Sequence, residues 1–282
     1  MHGAIYGVLY AGVACYVGAA ALSFWYLREE TAVRLRAAAR LMAIGAVLLA
    51  SALVLRLVHS RLLPMTSPTD SLMLFVLMGT ATGGAVARAE KRRALLCFYV
   101  PPLAAIALIG AYTARADYRV APEHLTTVLL AVHVTLAMLA YALFLLASLT
   151  SLAYVFQAGR LKRRHTTGLF LKLPSLEELD HTLYLLIRYG YPLFVITLWL
   201  GLSWAWYDSS PLSDTWWLSP KIVLSLVMAL LYSFSYHARA RGWLRGPKLA
   251  YCVFLAFGFL LCAYLVLNVL GLTNYNFRGG AV

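Results

Sequence analysis

The chain has 282 residues, 62% of them hydrophobic, with a mean hydropathy of +0.76. Soluble domains run at roughly 45–50% apolar residues, so the composition excludes an ordinary soluble domain and predicts a multi-span membrane protein. The formal charge of +13 sits mainly in short connectors, which excludes a nucleic-acid footprint.

Apolar runs long enough to cross a bilayer, about 20 residues each, lie near 4–27, 41–59, 71–87, 94–113, 124–157, 184–207, 221–238 and 249–271. Backbone groups in lipid must be satisfied within the segment, so helices are the expected spanning element. The predicted fold class is all-α, a polytopic membrane helix bundle of about eight transmembrane helices in a single membrane domain over 1–282. Connectors 28–40, 88–93, 158–175 and 239–248 hold 17 of the 24 lysines and arginines. Short basic connectors stay cytoplasmic, so the N-terminus and the C-terminus are predicted to face outward. No basic region precedes the first span and no small-residue cleavage site follows it, so that span reads as retained. Cys15, Cys97, Cys252 and Cys262 stand singly in spans, with no C-x-x-C and no C-x-x-C-H. They read as packing residues, and haem cannot be attached to them covalently through that motif.

Arg56 stands in the last turn of the second span, three residues before His59. It either snorkels to the outer headgroups or pairs with an anion in an outer cavity. The fifth apolar helix is unusually long, from about Glu123 to Gln157. With Arg160 to Arg164 marking its inner end, the hydrocarbon zone stops near Met138 and His133 lies at the outer interface. His124 and His133 are nine residues apart and point to opposite helix faces. His133, with Tyr141 two turns below, is the better placed for a bundle interior. His2 also falls toward the outer side, while His165 and His181 fall in a basic connector and read as solvated.

Before the sixth span, Ser175 and Glu178 form a capping box that predicts a helix start. Leu176, Leu179, Leu183 and Leu186 recur at helical spacing opposite Glu177, Glu178 and Asp180. This is either an amphipathic helix resting on the inner membrane face or an ordinary helix start with a solvated acidic face. Trp204, Trp206, Trp216 and Trp217 cluster in the following outer connector. Tryptophans belong in a membrane's aromatic belt without any ligand, and they can also make a platform for a planar apolar group. Lys221 beside them suits carboxylates. His237 falls toward the inner leaflet, sixteen residues past Lys221, where it either hydrogen-bonds within the bundle or meets a partner's ligand. No nucleotide-binding or hydrolase motif is present, and the spans read as free of acids, which argues against a proton-coupled transporter.

The segment "HVTLAMLAYALFLLASLTSLAYVFQ" from His133 resembles the outer-histidine helix of the cytochrome c assembly family, the CcsA/HemX-like membrane proteins. "LPSLEELDHTLYLLIRYGYPLFVITLWLGLSWA" is similar to that family's next helix, and "SPKIVLSLVMALLYSFSYHARARGWLRG" to its tryptophan-rich segment and penultimate helix. Arg56 and "PMTSPTDSL" resemble its arginine and the turn after span two. The likeness runs from about 56 to 275.

The resemblance implies a bacterial inner-membrane, non-enzymatic accessory of cytochrome c or haem biogenesis that binds haem b non-covalently. His133 matches the first outer haem-ligand histidine and His237 the histidine at the inner end of the penultimate helix, both candidate iron ligands. Trp216, Pro220 and Lys221 match part of the haem platform, with Trp204, Trp206 and Trp217 beside it. Ser219 stands where the family has Asp, Ile222 where it has Glu, and Thr273 where a second outer histidine is expected. The second axial position is then filled weakly by His59, by water, or not at all, with Arg56 and Lys221 for the haem carboxylates. The implied partners are haem, another cytochrome-biogenesis membrane protein and the lipid bilayer. Two further functions fit the same helices: a HemX-like regulatory or scaffolding protein without haem turnover, and a small-molecule transporter.

Overall fold

The computed structural model describes residues 2–28, 32–60, 67–114, 128–163, 173–209 and 218–269. These residues form eight α-helices and one 3-10 segment, with no strand among them. The helices are α1 (His2–Arg28), α2 (Ala32–Ser60), α3 (Pro68–Ala87), α4 (Leu96–Thr113), α5 (Val128–Lys162), α6 (Leu176–Ser209), α7 (Pro220–Ala240) and α8 (Pro247–Val269). The 3-10 segment, Glu90–Leu95, joins α3 to α4. Seven helices are long and apolar enough to cross a membrane, and α8 contributes a shorter apolar stretch, Pro247–Cys262. Each matches one of the eight predicted spans.

Several ends differ from the sequence reading. Arg34, Arg36 and Arg40 lie inside α2 rather than in a connector, and the Arg34 guanidinium sits 4.4 Å over the Trp25 ring. The fifth helix runs on past Gln157 to Lys162. Basic side chains in a last helical turn are favoured by the partial negative charge of the helix C-terminus, so they prolong the helix.

Buried glycines set the closest helix contacts. A Cβ on Gly45 would come within 3.0 Å of the Gly12 carbonyl oxygen, so α1 and α2 meet backbone to backbone. α5 and α6 run antiparallel in one register, in which Gly190 faces Phe144 and Gly201 faces His133. The spacing is eleven residues on both helices, about three turns, so both aromatic rings leave α5 on the same face. Below His133, Phe194 meets Tyr141 and Phe144, and Phe144 stacks on Tyr232 of α7 with centroids 3.5 Å apart. Several buried hydroxyls are satisfied inside the bundle, as apolar surroundings favour, although the buried Tyr232 hydroxyl has no hydrogen-bond partner among the described residues. Tyr16 bonds Thr80, Tyr99 bonds Thr150 at 2.7 Å, and Thr150 also donates to the Leu146 carbonyl. All four cysteines are free.

α6 corrects the reading of its first turns. Glu178 N donates to Ser175 Oγ at 3.3 Å, the cap that the sequence predicts. The helix then continues without a break into the span, and Leu179, Leu183 and Leu186 are buried in the bundle core. They do not rest on a membrane face. Nor is the acidic side merely solvated: Glu178 pairs with Arg92 at 2.9 Å, and Asp180 with Arg239 at 2.6 Å. Segments remote in sequence, the 3-10 connector and the last turn of α7, bring these cations, which spacing within one segment cannot reveal.

Candidate functional site

His133 leaves α5 toward α6, half-buried. Its Nδ1 lies 2.9 Å from the Thr197 carbonyl oxygen. A carbonyl only accepts, so Nδ1 carries the proton, and in the neutral ring Nε2 holds a lone pair. Metal-ligating histidines use this arrangement, with the second nitrogen donating to a carbonyl or carboxylate. The ring fits because position 201 lacks a side chain: a Cβ there would fall 2.6 Å from His133 Cε1. Thr197 and Gly201 are one helical turn apart, so one supplies the acceptor and the other the space. Sequence reasoning singled out His133 and missed both. A glycine inside a membrane helix was the available signal, since small residues mark close helix contacts.

Arg56 and Asp70 form a second polar contact at this far end of the bundle, remote from the basic connectors. The pair is 2.7 Å long, with side chains only 12% and 8% exposed. Ser67, the N-cap of α3, accepts from Asp70 N at 3.2 Å and from Arg56 Nη2 at 3.4 Å. Pro68 opens the helix and Asp70 lies in its first turn, where a carboxylate is favoured by the helix N-terminus. Asp70 therefore corrects the expectation that the spans contain no acid. It also gives Arg56 an anion from the protein itself, in place of a headgroup. His59 lies exposed one turn further along α2.

The tryptophan cluster is only partly described. Trp206 lies in α6 and is exposed. Position 204 is also in α6, three residues past Gly201 and seven past Thr197, the register of the face that receives His133. Trp216, Trp217 and Thr273 lie outside the described residues, as do His124 and His165. Lys221 is the second residue of α7. Just before it, Ser219 is the N-cap of α7, yet its hydroxyl makes no capping bond. Its Oγ is shielded from solvent with no hydrogen-bond partner among the described residues.

His237 lies near the other end of α7, exposed, its ring edge-on to Tyr236 and Tyr191 at 5.1 and 6.0 Å. It makes no hydrogen bond within the bundle among the described residues, contrary to one of the two expectations. His133 and His237 stand on different helices and are not brought together. No group of three metal-ligating side chains occurs among the described residues.

The fold defines a multi-pass α-helical membrane protein, with the His133 imidazole fixed against a backbone carbonyl at its far end. The Cytochrome C assembly protein profile matches residues 41–273. The chain belongs to that family. It is 32% identical to Protein HemX of Bacillus subtilis (strain 168), over 52% of this chain and 52% of that one. It is 33% identical to Protein HemX of Brevibacillus brevis, over 55% and 54%. The match thus spans about half the length of these two curated relatives. Cytochrome c biogenesis protein CcsA of Synechococcus sp. (strain CC9902) is 26% identical over 91% of this chain and 90% of its own.

Proposed function

We propose that this chain is a haem-handling accessory of c-type cytochrome assembly in the bacterial cytoplasmic membrane. In this reading it binds haem b non-covalently and catalyses no reaction. The observation that carries the reading is the Nδ1 contact of His133 with the Thr197 carbonyl, which presets Nε2 as the ligating nitrogen. The shielded, unpartnered Ser219 hydroxyl adds a polar atom at the start of α7 that a bound group would satisfy. Together these fit one histidine-held haem, for which the resemblance offers Trp204, Trp206, Trp216 and Trp217 as candidates for its faces and Lys221 for a carboxylate. Haem there would supply a ligand-accepting, redox-active iron to be passed to a cytochrome-assembly partner. The chain's own contribution is to fix the imidazole in one tautomer and limit water around it.

A visible spectrum of haem-reconstituted protein tests this, wild type beside His133→Ala. With one strong axial ligand, ferric wild type is expected to be largely high-spin, and His133→Ala should bind haem about tenfold or more weakly. An unchanged spectrum and affinity in the variant rules out His133 as the ligand.

One observation favours a regulatory or scaffolding role instead. Arg56, the first candidate for a haem carboxylate, already meets Asp70. Absence of haem uptake by the wild type would decide for the scaffold.

A further inference from the structure

A shallow cavity of about 380 Å³ lies on the outer side of α7 at its basic end, lined by Leu230, Ser233, Phe234, His237, Arg241 and Trp243. We propose that it is a binding site for an anionic phospholipid of the inner leaflet, held by its phosphate at Arg241 and His237. This inference is independent of the haem reading.

The lining is graded from apolar to cationic along one helix. Leu230 and Phe234 are 71% and 55% exposed on a helix apolar enough to span a membrane, so acyl chains cover them. Arg241 lies eleven residues further on, about 16 Å at helical rise, and half of a hydrocarbon core is about 15 Å. The groove therefore spans a single leaflet, with its apolar floor toward the midplane and its polar rim at the headgroups. Trp243, an interfacial residue type, forms the wall of that rim.

Local backbone geometry builds the rim. Gly242 has φ +77°, and Trp243 N donates to the Ala238 carbonyl at 2.8 Å while Gly242 N donates to that of Arg239. This glycine-dependent helix stop turns the chain back, so that Trp243 closes over the helix end. The Arg241 guanidinium lies 5.2 Å over the Trp243 ring. An anion at a helix C-terminus is ordinarily disfavoured by free carbonyls. Here the His237, Ala238 and Arg239 carbonyls are already taken by N–H donors.

Charge selects the ligand. Two acids at this end are committed elsewhere: Glu178 to Arg92, and Asp180 to Arg239 and to the Gly246 N–H. Arg241 has no carboxylate partner among the described residues, and Arg245 lies against Gly242 beside it. An uncommitted guanidinium and an exposed imidazole above an acyl-sized floor suit a phosphate without a balancing choline.

The test is native mass spectrometry of the full chain in an equimolar mixture of phosphatidylglycerol and phosphatidylcholine. Wild type should retain one phosphatidylglycerol in clear excess over phosphatidylcholine. Arg241→Gln, a change at an exposed side chain, should cut that excess about fivefold. Lys91→Gln removes an exposed cation at the same end, outside the groove, and should leave the excess unchanged. Equal retention of the two lipids, an Arg241→Gln excess equal to wild type, or an equal loss in Lys91→Gln would each overturn the site. So would haem, in place of a phospholipid, as the species lost from Arg241→Gln.

Discussion

At the basic end of the bundle, two acids from the first turns of α6 reach two different connectors. Glu178 holds Arg92 before α4, and Asp180 holds Arg239 in the last turn of α7 and the Gly246 N–H between α7 and α8. Among the described residues at the far end, Asp70 is buried with Arg56, and the imidazole of His133 is held by a backbone carbonyl. Among the described residues the basic end thus keeps cations such as Arg241 without a carboxylate partner after its links are made, while the far end holds a buried ion pair and an imidazole with Nδ1 bonded to a carbonyl. Surplus cations suit a membrane surface, and a neutral imidazole suits a metal. Burial separates the two ends energetically as well. The Asp180 and Arg239 side chains are 19% and 20% exposed, about twice the values at Asp70 and Arg56.

Asp70→Asn should break this contrast most severely, because it leaves Arg56 buried without its counter-charge. The expected loss is about 3 kcal/mol of stability, read as a lower melting temperature in detergent. Replacing the pair together, Arg56→Met with Asp70→Leu, should recover most of it. Equal melting of Asp70→Asn and wild type would show that the far-end pair is as solvent-screened as its counterparts.

Gly201→Ala tests the other half of the far end. The new methyl must displace the His133 ring, at a cost of about 1–3 kcal/mol, and haem uptake should fall as it does in His133→Ala. Intact uptake would mean that the ring's seat on α6 is not what presets it.

The smallest effect belongs to the basic end. Glu178→Gln should cost only about 0.5 kcal/mol, the usual value of a partly exposed pair. The loss should vanish in high salt, whereas that of Asp70→Asn should persist. Salt-independent destabilisation by Glu178→Gln would erase the distinction between the ends.

Much of the bundle was legible in the sequence because its cause is local. Eight apolar runs of bilayer length gave eight helices, and Ser175 capped α6 through Glu178 N as its spacing predicts. His133 stood out as a histidine in an apolar helix. Its partners did not, since Thr197 and Gly201 are ordinary residues until α5 is laid antiparallel on α6. Asp70 was read as part of a turn outside the spans because the apolar run begins after it. Its burial follows from the approach of α2.

The sequence by itself determined the helical class, the eight apolar helices, the cap at Ser175 and the concentration of cations at alternate helix ends. Each depends on the polarity of consecutive residues or on spacing within one turn. The tertiary structure decided which charges are spent and which remain. It paired Arg56 with Asp70, Arg92 with Glu178 and Arg239 with Asp180, and it left Arg241 beside a lipid-facing groove. It also set the tautomer of His133 by aiming the Thr197 carbonyl at Nδ1. Such choices rest on contacts of about 3 Å between groups tens of residues apart, and only the packing of whole helices can set them.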